Sequence, residues 1–145
     1  MFLYGNNNTG KTMLIGAAVN DLALKNIPSF YLDETQFFSR IKSTYNKQAV
    51  ETSTSILNSM KKAKIIFWDD FSTKAFSGHD LNIALEILSF CDSNMINIVF
   101  ISNVDIEAKL GSNEKFITER IGKRSLARIK RNKIHCIKME NKPFF

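Results

Sequence analysis

Compact apolar segments alternate along the chain with longer segments in which apolar residues recur at helical spacing. Most compact segments are rich in aromatic or β-branched residues and end at glycine or a polar residue, as buried strands do. Strands are predicted at Met1–Tyr4, Ser29–Leu32, Ile65–Trp68, Asn97–Ile101 and Lys133–Lys138. Because continuous apolar strands are typical of parallel sheets covered on both faces, the pattern predicts an α/β protein.

The predicted helices fall between these strands. The first runs from Lys11 to about Lys25, with Leu14 on its apolar stripe, and Pro28 prevents its continuation. Asp33 is suited to cap the second helix. The remaining helices are predicted from Asp33 through Phe37, Phe38, Ile41 and Tyr45, from Thr52 or Ser53 through Met60, over Leu81–Cys91, and over Glu114–Ile129.

The composition is that of one ordinary globular domain. The chain has 145 residues, of which 44% are hydrophobic and 23% charged, so a single domain over 1–145 is predicted. No apolar run approaches membrane-spanning length and no basic leader precedes the first strand, which predicts a cytoplasmic protein without a membrane partner. Cys91 and Cys136 lack the spacing of a metal site and are interpreted as buried, reduced thiols.

The net charge of +6 arises mainly late in the chain, between Lys115 and Lys138. A basic surface can attract nucleic acid, although a run of charge is more often a solvated face. The charge therefore allows, without requiring, a weak contact with single-stranded DNA.

The segment after the first predicted strand matches a phosphate-binding loop in full. The pattern G-x-x-x-x-G-K-[ST] lies between a strand and the start of a helix, where backbone N–H groups can surround phosphate oxygens. Lys11 would reach the β- and γ-phosphates, and Thr12 would offer its hydroxyl to Mg²⁺. The sequence therefore predicts that ATP or ADP binds with Mg²⁺ at Gly5, Asn6, Asn7, Asn8, Thr9, Gly10, Lys11 and Thr12.

Two carboxylates follow the predicted strand Ile65–Trp68. Asp69 is predicted to hold the metal, directly or through water, and Asp70 to orient or activate the attacking water. Such a pair, taken alone, often caps the next turn. Together with the phosphate-binding loop it indicates an ATPase site.

The order of four motifs resembles one family of proteins. After the phosphate-binding loop come IIFWDDFS from residue 65, VFISNVD from residue 99 and GKRSLARI from residue 122. This order is similar to the AAA+ ATPase domain of bacterial or phage DnaC/DnaI-type helicase loaders, which are related to IstB-type ATPases. The resemblance covers nearly the whole chain. It implies a three-layer α/β/α P-loop NTPase fold with a parallel central sheet, and a role in DNA replication.

The same resemblance implies roles for four further residues. Asn103, with Ser102, would sense the γ-phosphate; the alternative is an asparagine that merely ends a strand in a turn. Arg128 would be an arginine finger acting in trans on a neighbouring subunit, and Arg124 would support the same interface. The alternative for Arg128 is a surface arginine on a basic helix.

The chain also departs from the family pattern. The arginine that senses nucleotide in cis near the last strand is missing from the tail that begins at Glu140, and Asp70 stands where many AAA+ proteins have glutamate. Only four residues precede Gly5, whereas the family has several dozen, which help to build the adenine pocket, and loaders add a domain that grips the helicase. A truncated AAA+ domain with weakened nucleotide affinity is therefore expected.

Three functions remain open from the sequence. The first is a shortened relative of a helicase loader that docks on a full-length loader's AAA+ domain and modulates or blocks its self-assembly, with the replicative helicase as a further partner. The second is an active ATPase domain that helps to place the helicase on DNA. The third, a plain nucleic-acid-binding module, rests on the basic tail and lacks a recognised base-stacking motif.

Overall fold

The structure is a computed structural model that describes residues 1–104, 114–131 and 135–140. The strands in these ranges are β1 (Phe2–Tyr4), β2 (Ser29–Asp33), β3 (Ile65–Asp69), β4 (Asn97–Ser102) and β5 (Cys136–Lys138). The helices are α1 (Lys11–Leu24), α2 (Glu34–Ser43), α3 (Ser53–Ser59), α4 (Gly78–Ser93), α5 (Glu114–Ile121) and α6 (Lys123–Lys130).

The strands form one parallel sheet in the order β2-β3-β4-β1-β5. Leu3 of β1 pairs with Ile101 of β4, and Trp68 of β3 pairs with Phe100 of the same strand. Because all strands run the same way, the residues that follow them meet at one edge, called here the carboxyl edge. The opposite end of the strands is called the amino edge. The predicted parallel α/β fold is confirmed.

The two faces of the sheet are covered unequally. Along β3, Ile66 and Trp68 contribute to a large core shared with α2 through α6, whereas Ile65 and Phe67 contribute to a smaller core under α1. Successive side chains of a strand point to opposite faces, so this alternation separates the two cores. The described helices lie on both sides of the sheet, as the three-layer prediction requires.

Side-chain caps explain where several helices begin. Asp33 accepts a hydrogen bond from the backbone N–H of Gln36 at 2.8 Å, as predicted. Thr52 and Ser55 form a reciprocal capping box at the start of α3. Each cap satisfies backbone donors that lack a partner inside the helix, and such a cap typically contributes about 1 kcal/mol.

One predicted helix is divided in the structure. The sequence predicts one helix over Glu114–Ile129, but α5 ends before Gly122, whose φ of 77° is unsuited to a helix interior. A β carbon at Gly122 would also lie 3.1 Å from the Leu81 side chain. The glycine therefore allows α6 to turn and pack against α4.

Several side chains differ from their predicted environment. Leu14 is half-exposed, and Ile15 faces the sheet in its place. Tyr45 follows the end of α2 and is half-exposed, packing edge-on against His79. The apolar spacing in α1 allowed either Leu14 or Ile15 to face the sheet. The apolar spacing of α2 also continued past the end of the helix to Tyr45.

The two cysteines were predicted to be buried, as was the first strand, which contains Phe2. Phe2 is in the core, and Cys91 is buried, which raises the pKa of its thiol to about 12. Cys136 is only half-buried, because β5 is an edge strand. Residues 133–134 of the last predicted strand lie outside the described residues. Among the described helices, none combines the length and apolar character that a membrane span needs.

Candidate functional site

The carboxyl edge brings together the chemical groups predicted from three separate motifs. Gly5 follows β1, Asp69 ends β3 and Asn103 follows β4, and these strands are neighbours in the sheet. A cleft of about 600 Å³ opens there. Its walls are formed by Asn7, Asn8, Thr9, Gly10, Lys11, Thr12, Met13, Asp69, Asp70 and Asn103.

Lys11 is folded onto the loop that precedes it. Its ammonium group donates to the backbone oxygens of Gly5 at 2.8 Å and Asn6 at 2.7 Å, and Thr9 Oγ1 lies 3.3 Å away. Burial lowers the pKa of Lys11, while the nearby carboxylates of Asp69 and Asp70 oppose this shift. A buried cation at the start of a helix makes this loop a ready site for a phosphate group.

Asp69 is buried and tied to its surroundings through both oxygens. Tyr31 donates its hydroxyl to Oδ2 at 2.6 Å, and the backbone N–H of Asp70 donates to Oδ1 at 2.9 Å. Burial, and then the bond to Asp69, raises the pKa of Tyr31 above its usual value. Tyr31 is therefore a neutral donor that fixes the orientation of the Asp69 carboxylate.

Asp70 lies in an unusual backbone conformation. Its φ of 54° is in the left-handed region, which aspartate tolerates better than most residues. Burial raises the pKa of its carboxyl, the negative charges of Asp69 and Asp33 add to this, and Lys11 opposes it. A raised pKa brings a carboxylate closer to the range useful for accepting a proton from water.

The turn after β3 is held by two helices. Glu34, the first residue of α2, accepts hydrogen bonds from the backbone N–H of Ser72 at 3.0 Å and from Trp68 Nε1 at 2.9 Å. Arg120 of α5 donates to the backbone oxygens of Ser72 and Thr73. These bonds fix the backbone on which Asp70 is placed.

The two strand-end residues predicted to sense phosphate have different environments in the structure. The Ser102 hydroxyl is buried and donates to the backbone oxygen of Phe71 at 2.8 Å, so Ser102 supports the turn after β3. Asn103 is half-buried and lines the cleft.

The cleft contains oxygen ligands of the kind that Mg²⁺ would need. Among the described residues, no group of three or more His, Cys, Asp or Glu side chains could hold a metal by itself. Mg²⁺, however, usually takes one or two protein oxygens and completes its shell with water and phosphate oxygens. Asp69 and the exposed hydroxyl of Thr12 line the same cleft and fit a metal shared with a nucleotide.

Arg128 and Arg124 lie on α6, away from this cleft. Arg128 forms an ion pair with Asp92, Nη1 to Oδ2 at 3.1 Å, and shares a hollow with Met1 and Asn97 at the amino edge. The six residues of β4 separate the two edges by about 20 Å at 3.3 Å per residue, so Arg128 cannot reach a phosphate held by its own loop. Arg124 is exposed on the same helix.

Three residues of the site were not predicted from the sequence. Tyr31 and Arg120 carry no local motif, and their contacts with the β3 end depend on the order of strands and the position of α5. Glu34 follows the helix-capping Asp33, and an acidic residue in a first helical turn is common. No signal in the sequence indicates that Glu34 is buried.

The family match covers most of the chain. Residues 1–121 match the family described as "ATPase family associated with various cellular activities", or AAA. A comparison with curated proteins finds no match.

Solved structures share the fold at low sequence identity. The DnaC helicase loader gives a TM-score of 0.79 at 16% identity over 97% of this chain and 77% of that one. DnaI gives 0.70 at 21% identity over 97% and 70%. DnaA from Aquifex aeolicus, bound to AMPPCP, gives 0.69 at 18% identity over 97% and 40%. The resemblance to AAA+ proteins inferred from the motifs is confirmed, and the chain belongs to the AAA family of ATPases.

Proposed function

We propose that this chain is a helicase-loader-like AAA+ module of bacterial or phage DNA replication, acting in the cytoplasm. It docks on the AAA+ domain of a helicase loader and modulates or blocks that loader's self-assembly. The likeness to the DnaC helicase loader and to DnaI supports this assignment. The replicative helicase is a further partner, reached through the loader.

One observation carries the proposal. The phosphate cleft lies at the carboxyl edge, whereas Arg128 lies at the amino edge, about 20 Å away by the length of β4. Arg128 can therefore act on a phosphate only in another subunit, and its own cleft would need an arginine from outside. A chain with both features carries two complementary docking surfaces. In this proposal Arg124, exposed on α6, supports the Arg128 surface.

Nucleotide is part of the proposed interface. ATP or ADP would sit on the loop from Gly5 to Thr12, with Mg²⁺ on Thr12 and Asp69 and the terminal phosphate near Asn103. Lys11 would exchange its bonds to the loop oxygens for bonds to phosphate, which are stronger because both partners are charged. A bound phosphate then gives an arginine finger from the loader its target.

Light scattering of the full-length loader from the same host tests the proposal. Adding increasing amounts of this chain with Mg²⁺ and ATP should lower the mean mass of loader assemblies, and Arg128→Ala should lessen that effect. Loader assemblies of unchanged mass at excess chain would contradict it.

A second candidate function is an active ATPase domain of a loader. It is favoured by the fact that Lys11, Thr12, Asp69, Asp70 and Asn103 all line one cleft. Asp70, whose pKa is raised, would then activate water, a role that contributes about 10²- to 10⁴-fold in rate. This second candidate function also includes a weak contact between single-stranded DNA and the basic surface of α6.

Turnover by the isolated chain separates the two candidates. The ATPase candidate predicts phosphate release that single-stranded DNA stimulates and that Asp70→Asn abolishes without loss of ATP binding. The docking proposal predicts a low rate that rises only when the loader's AAA+ domain is added. DNA binding that falls steeply with salt and ignores nucleotide would instead favour a plain nucleic-acid-binding module.

A further inference from the structure

The turn between β3 and α4 has a backbone conformation that needs support from outside. Asp70 and Ser72 have φ angles of 54° and 53°, in the left-handed region, although neither is glycine. Within the turn, Thr73 donates its backbone N–H and its hydroxyl to the backbone oxygen of Asp70, at 3.1 and 3.0 Å. Such a backbone persists only where surrounding groups hold it. The position of Asp70 therefore depends on the residues that contact this turn.

Arg120, in the last turn of α5, holds the turn after β3 at two points. Its Nε donates to the backbone oxygen of Ser72 at 2.6 Å, and its Nη2 donates to that of Thr73. Its own backbone oxygen accepts the N–H of Phe76 at 2.9 Å. A guanidinium is planar and presents its donors in a fixed fork, so it holds the two carbonyl groups in one orientation.

The helix that carries Arg120 is joined directly to the helix that carries Arg128. Gly122 alone separates α5 from α6. It donates its N–H to the backbone oxygen of Thr118 in α5 at 2.8 Å, and its own oxygen accepts the N–H of Leu126 in α6 at 3.1 Å. Because the connection is one hydrogen-bonded residue, a displacement of α6 is passed on to α5.

Buried side chains prevent the two helices from absorbing such a displacement. Ile121 of α5 and Leu126 and Ile129 of α6 are all buried in the large core. Protein interiors are close-packed and transmit strain. Contiguous contacts therefore connect the Arg128 surface of α6 to the turn that carries Asp70.

We infer that Arg120 is a positioning residue for Asp70, through which docking at the Arg128 surface changes the position of the Asp70 carboxylate. Arg120 does not line the phosphate cleft, so it acts through the turn and not on the nucleotide. The affinity for nucleotide, which depends on the phosphate loop, is left unchanged. This inference rests on the proposed docking of the chain, through Arg128, on a loader's AAA+ domain.

The one tryptophan of the sequence reports on this turn. Trp68 directly precedes Asp69 at the end of β3. Its Nε1 donates to Glu34, which also accepts the N–H of Ser72, and its ring packs edge-on against that of Phe71, with centroids 5.3 Å apart. A fluorine atom on the Trp68 ring therefore gives a single NMR signal that depends on the conformation of the turn.

Arg40 of α2 provides a matched control. It donates through the same two nitrogens as Arg120, Nε and Nη2, but to the carboxylate oxygens of Glu51 at the surface, at 2.9 and 2.5 Å. Arg40→Ala and Arg120→Ala therefore remove the same side chain and the same kind of two-point contact. Only Arg120→Ala removes the guanidinium that holds the turn.

Fluorine NMR of the chain labelled with fluorotryptophan tests the inference. The partner is the unlabelled AAA+ domain of the host's loader with Mg²⁺ and ATP, its own arginine finger replaced by alanine so that it docks through its phosphate cleft. Docking should shift the Trp68 signal. Arg120→Ala should remove most of that shift but change the affinity for the loader domain by no more than about twofold, because its guanidinium lies away from the docking surface.

Two further variants show whether the geometry of the guanidinium matters. Arg40→Ala should keep the whole shift. Arg120→Lys keeps the charge but lacks the planar fork, so it should keep only part of the shift. If Arg120→Ala does not fold, Arg120→Lys decides, and a full shift in that variant would overturn the inference.

The other outcomes separate this inference from the proposed function. If the loader domain binds the unmodified chain without shifting the Trp68 signal, or if Arg120→Ala keeps the full shift, the inference is wrong and docking stands. If the loader domain does not bind the unmodified chain, docking itself is wrong and the inference falls with it.

Discussion

The carboxyl and amino edges of the sheet carry different chemical groups. The carboxyl edge gathers Lys11, Asp69 and Asp70 around a cleft, and no arginine lines that cleft among the described residues. The amino edge carries Arg128 beside a hollow formed mainly by apolar side chains and backbone. In the proposed function, each edge is completed by the opposite edge of another subunit.

The two edges also differ in how firmly their groups are held. At the carboxyl edge, the turn after β3 is tied down by Glu34, Arg120 and Ser102, which belong to three separate elements. At the amino edge, Arg128 is paired with Asp92 in a solvent-accessible ion pair, and such pairs contribute at most about 1 kcal/mol. The cleft is preorganised, whereas Arg128 can exchange its partner at little cost.

The largest expected effect concerns the buried carboxyl that supports the carboxyl edge. Burial raises the pKa of Glu34 to about 7 from its usual 4.5, although the bonds from Ser72 and Trp68 oppose the shift. The folded state therefore binds this proton more tightly than the unfolded state, and stability falls as pH rises from about 4.5 to about 7. This shift in pKa corresponds to about 3 kcal/mol in the free energy of unfolding.

Urea unfolding at pH 5 and pH 7.5 measures this effect. The unmodified chain should lose up to about 3 kcal/mol more between the two pH values than Glu34→Gln does, because glutamine has no proton to release. Glu51→Gln, at an exposed carboxyl, is the control and should keep the slope of the unmodified chain. An equal slope for Glu34→Gln would show that Glu34 is ionised at no cost.

The next largest expected effect is a loss of nucleotide affinity at the carboxyl edge. Lys11→Ala should weaken ADP by about 2–3 kcal/mol, roughly 30- to 150-fold, because it removes charge-assisted bonds to phosphate. Lys25→Ala removes the lysine that follows the end of the same helix, far from the cleft, and should have no effect. Equal ADP affinity for Lys11→Ala and the unmodified chain, measured by calorimetry, would mean that the cleft does not hold phosphate through this residue.

A smaller effect is expected at the joint between α5 and α6. Gly122→Ala places a β carbon at a φ of 77° and 3.1 Å from Leu81, which should lower the free energy of unfolding by about 1 to 2 kcal/mol. ADP affinity should stay the same, because the joint does not line the cleft. Gly16→Ala, in α1 with open space at its β position, is the control. A parallel loss of ADP affinity would show that the joint also controls nucleotide binding.

The sequence predicted those parts of the site that depend on local motifs. The phosphate loop, Asp69 and Asp70 follow predicted strands directly, so a parallel sheet is enough to bring them to one edge. Tyr31 and Glu34 could not be predicted, because their contacts depend on β2 lying beside β3 and on burial of the first turn of α2. Periodicity also extended the helix over Gly122, where a single backbone angle determines the break.

The separation of the two edges makes the affinity of this chain for a loader's AAA+ domain the most direct test of the account. Calorimetry with Mg²⁺ and ATP should give a defined stoichiometric complex, weakened about tenfold by Arg128→Ala, as for one central interface arginine. Arg131→Ala is the matched control, because Arg131 lies 3.9 Å from the same Asp92 oxygen and is far more exposed. It should leave the affinity nearly unchanged. No complex, or an equal loss from both variants, would contradict the account.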